Sequence, residues 1–316
     1  MGGRLATEVI QSRSDLNQLD DGNFWALSIS YEGEVVATAF RTVESAPFPA
    51  VAWSGISGSW QSTHSREMYC SYVEEIRKAI AEGEVYQVNA CRVLSTSHRG
   101  NLDGLFSEIL HKNPAPYAAY FRADKTEIAS ASPELFLKRT GDTVLTSPIK
   151  GTRSLDSEPF GAKDGSENIM IVDLMRNDLG AICTDVTTPH LLREEQHPGL
   201  FHLVSDVQGV IKAGLSWSEI LQPLLPAGSI SGAPKSSARR IIEQHEVSRG
   251  PYCGILGWVQ GDQALLSVAI RIFWRDGDHV KFGTGAGITW DSDPSKEWLE
   301  TELKAERLIS IARGSL

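Results

Sequence analysis

Near the end of the chain two apolar runs, Ala269-Ile270-Arg271-Ile272-Phe273-Trp274 and Val280-Lys281-Phe282, flank Arg275-Asp276-Gly277-Asp278. This arrangement constrains the fold more than any other local feature. Asp-Gly between alternating apolar residues tolerates the positive φ angles of a tight turn, so the spacing predicts an antiparallel hairpin. The signal recurs at residues 25–55, where Trp25, Leu27, Ile29 and Tyr31 alternate with polar residues, Glu32-Gly33-Glu34 makes a turn, and Val35, Ala37 and Ala39 return. Between the two hairpins, helical and strand patterns follow one another irregularly. Ser62 or Thr63 can cap a helix with Met68, Tyr72, Ile76 and Ile80 on one face, ending near Gly83, after which Val85–Asn89 reads as a strand. Leu105, Ile109 and Leu110 suggest a short helix, followed by strand-like Tyr117–Phe121, Leu135–Lys138 and Val144–Ser147. Glu167 opens a helical pattern reaching Leu179, His202–Val207 returns to strand, and Pro234 fits the first turn of a helix running toward Glu246. A last helix from Pro294 to Ala312 would turn Trp298, Leu299, Leu303 and Leu308 to the core. Without a steady strand-helix-strand rhythm, the expected class is α+β, antiparallel sheets packed with helices.

The 316 residues, 41% hydrophobic and 22% charged, suit a globular chain with ample core, and no linker-like stretch divides them. One catalytic domain spanning residues 1–316 is the expectation. A net charge of −10 argues against nucleic acid or an anionic membrane as the main partner, though a local basic pocket for an anion stays open. The start, Met1-Gly2-Gly3-Arg4, has no apolar signal region, so a cytoplasmic protein is expected. Cys70, Cys91, Cys183 and Cys253 are scattered without a Cys-x-x-Cys pair, which points to buried free thiols rather than zinc or disulfides.

Pro148-Ile149-Lys150-Gly151-Thr152 places a lysine where a strand gives way to a loop. A surface charge is the ordinary reading of such a lysine. In a pocket, however, burial lowers the pKa of the amine and makes it a nucleophile. Gly228-Ser-Ile-Ser-Gly232-Ala-Pro-Lys235 has the wrong spacing for a P-loop, and Gly283-Thr-Gly285-Ala-Gly287 follows a hairpin strand rather than opening a dinucleotide fold. Both are either turn glycines or backbone cradles for a carboxylate. Glu297, Glu300 and Lys304 lie three and four residues apart on one helix face, as in many surface ladders. Were Glu167 to meet them, three carboxylates would offer hard oxygen ligands suited to Mg²⁺.

Taken in order, these segments resemble the chorismate-utilising enzymes, a family that includes anthranilate, aminodeoxychorismate, isochorismate and salicylate synthases. The resemblance runs from about Glu84 to the C-terminus, with residues 1–60 matching only loosely. It is carried by Ser132-Pro133-Glu134, Pro148–Thr152, Glu167–Leu179, His202-Leu-Val-Ser205, Gly228–Lys235 and Gly285-Ala-Gly-Ile288. Lys150 stands where aminodeoxychorismate synthases carry lysine and the other members usually carry alanine, so the resemblance is to aminodeoxychorismate synthase component I. Anthranilate synthase component I is the alternative, and a catalytically idle chorismate-binding or amidotransferase-tethering subunit is an alternative of another class.

The resemblance implies a layered sandwich of sheets and helices. It implies amination of chorismate at C4 to give 4-amino-4-deoxychorismate for 4-aminobenzoate and folate, with ammonia from a glutamine amidotransferase partner. By position, Lys150 would be a nucleophile at C2, Glu134 the acid at C4, and His202 a contact to the ring or its departing hydroxyl, unless it is a satisfied core histidine. Glu167, Glu297 and Glu300 match the Mg²⁺ ligands. Arg271, Tyr252, the amides of Gly285 and Gly287, Lys304 and Thr152 would bind substrate, while Lys235 is either a site or a structural lysine. Gln87 occupies the place of the water-activating lysine of the isochorismate and salicylate enzymes, and its amide is no base. Ser231 stands where threonine is commoner. No Leu-Leu-Glu-Ser segment shapes a tryptophan pocket, so feedback by tryptophan is not expected.

Overall fold

The computed structural model describes residues 1–154, 158–197 and 200–316. Among them every strand pairing is antiparallel. The strands form two sheets, one of ten and one of seven. The larger begins at an edge strand, Arg4–Arg13, and passes through the N-terminal hairpin Phe24–Ile29 and Val35–Ser45. It continues through Ile255–Gln260, Gln263–Val268, Leu135–Thr140 and Thr143–Ser147 to Leu200–Ile211. The smaller is centred on Gln87–Ser97, His279–Ile288 and Ile272–Asp276. One buried cluster unites Trp25, Leu27 and Leu256 of the larger sheet with Ala90 and Ile288 of the smaller, so the main core lies between the layers. A second cluster joins Phe273 and Phe282 to Leu308 and Ile311 of the C-terminal helix. This is the α+β class expected from the irregular mix of hairpins and helices, in the layered sandwich that the resemblance implies.

Both hairpin signals form as read. Ile29 pairs with Val35 around the Glu32-Gly33-Glu34 turn, and Asp276 pairs with His279 across Gly277-Asp278. Several boundaries differ. The first long helix spans Arg66–Ala81 and is capped by Ser65, whose side chain accepts from the Met68 amide, because Ser62 is held in a short strand against Leu94. Its buried face is Tyr69, Tyr72, Val73 and Ile76, leaving Met68 exposed. Strand Gln87–Ser97 starts after Val85, and the predicted strand at Ala269 starts only at Ile272, since Arg271 adopts a left-handed φ of 54°. Helix Ala162–Ile182 begins five residues before Glu167, which therefore sits within it rather than opening it.

The C-terminal helix Pro294–Arg313 carries the most instructive correction. Its inward residues are Glu297, Thr301, Ala305, Leu308, Ile309, Ile311 and Ala312, whereas Leu299 and Leu303, expected inside, are 58% and 63% exposed. Burying a leucine contributes roughly 1.5–3 kcal/mol. The helix forgoes two such contributions, and the rotation directs Glu297 inward. Elsewhere Pro148 separates Thr143–Ser147 from Ile149–Ser154, two strands that pair in succession with Leu200–Ile211. Proline has no amide for the ladder, so an interruption there is expected. Between the pairs Ile149 with Val204 and Thr152 with His202 the register slips, leaving Lys150 and Gly151 opposite Leu203 alone. Gly151 takes a φ of 89° in this bulge, and such a bulge re-aims the neighbouring side chain.

Candidate active site

That bulge sends Lys150 into a cleft between the two sheets, and the same cleft is lined by Glu134, Thr152, Glu167, His202, Tyr252, Arg271, Gly285, Gly287, Glu297, Glu300 and Lys304. All twelve residues to which the resemblance gives a catalytic, substrate-binding or metal-binding role therefore meet at one place. Lys235 does not. It lies against Asp178 at 2.6 Å and ties the start of helix Lys235–His245 to the helix carrying Glu167.

Each motif has a local reason to fold as it does. Ser132 donates to the Val268 carbonyl at 2.6 Å and accepts from the Glu134 amide at 3.2 Å, fixing the turn that presents Glu134. The Asn168 amide donates to the Leu203 carbonyl at 3.0 Å, and Ser205 donates to the Asn168 carboxamide oxygen. Thus the residue after Glu167 is bonded to the strand that carries His202. Thr152 and His202 face each other across the ladder and share a hydrogen bond of 2.9 Å between Oγ1 and Nδ1.

The glycines make the opposite wall. A side chain at position 283 would lie 2.1 Å from the Tyr252 ring, one at 285 would strike Cys91 and the Ala90 carbonyl, and one at 287 would strike Gln87. Strand His279–Ile288 pairs with Ile272–Asp276 only as far as Phe282, leaving its edge beyond that point facing the cleft. The Gly285 carbonyl accepts from Lys304 Nζ at 3.0 Å on that edge. In an extended strand the N–H of a residue points the same way as its carbonyl, so the amides of Gly285 and Gly287 also point there. This is a cradle for an anion built from backbone.

Electrostatically the cleft holds cations and carboxylates in close alternation. Glu134 is buried, which pushes its carboxyl up, against opposing pulls from Ser229, Lys150, Lys304 and Arg271. Burial likewise pushes the Lys150 amine down, with Glu134 acting against it. Because the cleft leaves Lys150 partly open to water, its desolvation is less severe than that of a sealed lysine. Burial lowers Arg271 to about 10. The Tyr252 hydroxyl is pushed well up by burial and stays a neutral donor.

Glu297 is buried, Glu167 accepts from Thr289 Oγ1 at 3.3 Å, and Glu300 pairs with Lys304 at 2.6 Å. Among the described residues no group of three or more His, Cys, Asp or Glu side chains stands at metal-ligating spacing. Glu167, Glu297 and Glu300 line one cleft without standing at that spacing. The donor chemistry still suits Mg²⁺, a hard cation usually held by one or two carboxylates, with waters and a substrate anion filling the remaining positions.

Sequence reasoning did not single out Ser229 or Asn168 as individual residues of the site. Ser229 donates to Glu134 Oε1 at 2.7 Å, and its carbonyl accepts from Lys150 Nζ at 2.8 Å. Both lay inside recognised motifs, so their motif membership was the available signal.

Residues 28–310 match the family model described as chorismate binding enzyme, which starts well before Glu84 and takes in the hairpin now seen to belong to the larger sheet. The chain is 31% identical over 309 residues to aminodeoxychorismate synthase component 1 of Klebsiella aerogenes, covering 90% of this chain and 68% of that protein. It is 34% identical over 277 residues to anthranilate synthase component 1 of Aquifex aeolicus, covering 81% of this chain and 56% of that protein. The chain thus spans between about half and two thirds of the length of these relatives. Anthranilate synthase component I from Streptococcus pneumoniae superposes with a TM-score of 0.83 at 21% identity, over 97% of this chain and 91% of that one. The menaquinone-specific isochorismate synthase of Escherichia coli gives 0.80 at 18%, over 98% and 85%. These structural likenesses establish the fold. Relatives of two different activities stand at nearly equal identity, but the match over most of the length makes one conclusion plain: the chain belongs to the family of chorismate-binding enzymes.

Proposed function

We propose that the chain is the chorismate-aminating component of an aminodeoxychorismate synthase, forming 4-amino-4-deoxychorismate from chorismate and ammonia. The observation that carries this reading is Lys150, set by a glycine bulge into the same cleft as Glu134 and bonded through Ser229 to the same short turn. Arg271, Lys304 and the glycine edge offer donors for substrate carboxylates, Arg271 as a planar bidentate partner. Glu167, Glu297 and Glu300 would hold Mg²⁺, which would neutralise a substrate carboxylate.

In the proposed reaction the neutral Lys150 amine attacks C2 of chorismate, the diene electrons shift, and the C4–O bond breaks. Glu134 gives the departing hydroxyl its proton and water leaves. The secondary ammonium formed on Lys150 returns a proton to Glu134. Ammonia then bonds to C4 as the double bonds shift back, Glu134 protonates the lysine nitrogen as its bond to C2 breaks, and the new C4 ammonium returns that proton to Glu134. The net change is chorismate plus ammonia to product plus water. His202, held by Thr152, would contact the ring. An alanine in place of Lys150 would leave C2 open to ammonia itself, the outcome named by the relative from Aquifex aeolicus.

A glutamine amidotransferase is the proposed source of ammonia, and free ammonium should replace it in vitro. Purified protein with chorismate, Mg²⁺ and an ammonium salt should yield 4-amino-4-deoxychorismate, identified by mass and chromatography, and omission of Mg²⁺ should stop the reaction. Anthranilate as the sole product would overturn the assignment in favour of C2 amination. An idle binding subunit would bind chorismate and leave it unchanged.

A further inference from the structure

Ser229 occupies a position that the sequence motif alone does not explain. It lies in the short turn Gly228–Ile230, 4% exposed, pressed onto helix Ala162–Ile182. A Cβ at Gly228 would press on the side chains of Leu174 and Met175, so the turn packs closely against that helix. Ser231 closes the turn by donating to the Ala227 carbonyl at 3.0 Å. The turn is thus braced from behind, and Ser229 projects from it toward the cleft. Its hydroxyl donates to Glu134 Oε1 at 2.7 Å, and its carbonyl accepts from Lys150 Nζ at 2.8 Å.

We infer that Ser229 is a positioning residue that holds Glu134 and Lys150 as a fixed pair, the acid through its side chain and the amine through its backbone. This rests on the reading of those two residues given above. The two contacts differ in what they do to protons. A carbonyl accepts from a neutral amine as well as from an ammonium, so it places Lys150 without forbidding the nucleophilic form. A hydroxyl donating to a carboxylate favours the ionised form, so Ser229 restrains Glu134 from taking up its proton too early. The other charged groups acting on Glu134 are Lys150, Lys304 and Arg271, all cations that pull the same way, while burial pulls the other. Serine at 229 therefore sets how readily the acid is loaded, independently of where the lysine sits.

The test is titration of Glu134 in the substrate-free protein by infrared difference spectroscopy, with the carboxyl band assigned by its loss in Glu134→Gln. Ser229→Ala should move the midpoint up by about one pH unit, the scale of one charge-assisted hydrogen bond. Ser229→Thr, which keeps the hydroxyl, should restore the wild-type midpoint, and Ser229→Cys, a weaker donor of similar shape, should shift it upward. In the amination assay the limb of the kcat/KM profile that reports the acid should move with the same sign. A midpoint unchanged in both Ser229→Ala and Ser229→Cys would overturn the inference. Should Ser229→Ala not fold, the Thr and Cys variants decide between the same two outcomes. Because the titration needs no chorismate, its failure is separate from failure of the proposed reaction.

Discussion

Arg249 and Arg271 lie in the same protein, and both carry a guanidinium away from bulk water, yet their surroundings differ completely. Arg249 is 1% exposed, makes two hydrogen bonds to Glu246 at 2.7 and 2.8 Å, and donates to the carbonyls of Ile230 and Asn89. It also lies over the Tyr31 ring at 4.5 Å. Arg271 stands on a left-handed backbone in the cleft, and among the described residues its side chain makes no hydrogen bond to the protein. A buried charge whose donors are consumed by the fold is scaffold. One held in a strained backbone with donors to spare is arranged for something not part of the chain. The same distinction separates Lys235, bound to Asp178, from Lys150, which among the described residues meets only a carbonyl at hydrogen-bond distance.

The contrast can be broken from either side. Glu134→Gln should lower amination by about 10²–10⁴-fold, the usual contribution of a positioned acid, while leaving the fold intact. A loss of stability in place of activity would move Glu134 into the scaffold class. Glu246→Ala should do the reverse, destabilising the protein by about 3–5 kcal/mol in urea unfolding because it leaves Arg249 charged and unpaired. A change below about 1 kcal/mol would show that the buried pair is not structural, since that is the scale of an exposed ion pair. Arg271→Lys should leave stability nearly unchanged and raise KM for chorismate by about tenfold, the loss of one bidentate contact. An unchanged KM would remove Arg271 from the substrate site.

The pH dependence sharpens the contrast further. Glu134 is held above the ordinary carboxyl range, so its acid form is lost only as pH rises through that raised value. Lys150 is held below the ordinary lysine range, so its neutral form gains as pH rises through that lowered value. The kcat/KM profile should therefore be bell-shaped, with Glu134→Gln abolishing the falling limb. The stability effect is smaller. A raised folded-state carboxyl pKa means that the native state binds more protons, so stability falls with rising pH across the interval above the ordinary carboxyl value. Glu134→Gln should remove that slope.

The sequence made much of this legible because the cleft is assembled from short, chemically distinctive segments. Glu134, Lys150 and Arg271 could be singled out before any of them had a location. What it could not reveal was which of two competing faces a helix would bury. On Pro294–Arg313 Leu299 and Leu303 lie on a different side of the helix from Glu297, and apolar burial alone favours the two leucines. The position of Glu297 against the cleft decides otherwise, and that is a property of the assembled sheets. Ser229 was hidden for a related reason. One of its two contacts is made by the backbone carbonyl, which every residue possesses, so residue identity signals nothing until Lys150 is brought to it. The Ser62 or Thr63 cap failed locally, because strand pairing with Leu94 held Ser62 and left capping to Ser65.

The central claim is that Lys150 belongs to the chemistry and not to the scaffold. Intact-mass spectrometry during turnover of chorismate, run in parallel on wild type and Lys150→Ala, tests it most directly. The wild type should carry a transient adduct of one substrate skeleton less water, absent from Lys150→Ala, and the variant should lose amination at C4. An unchanged rate and product in Lys150→Ala would contradict the account.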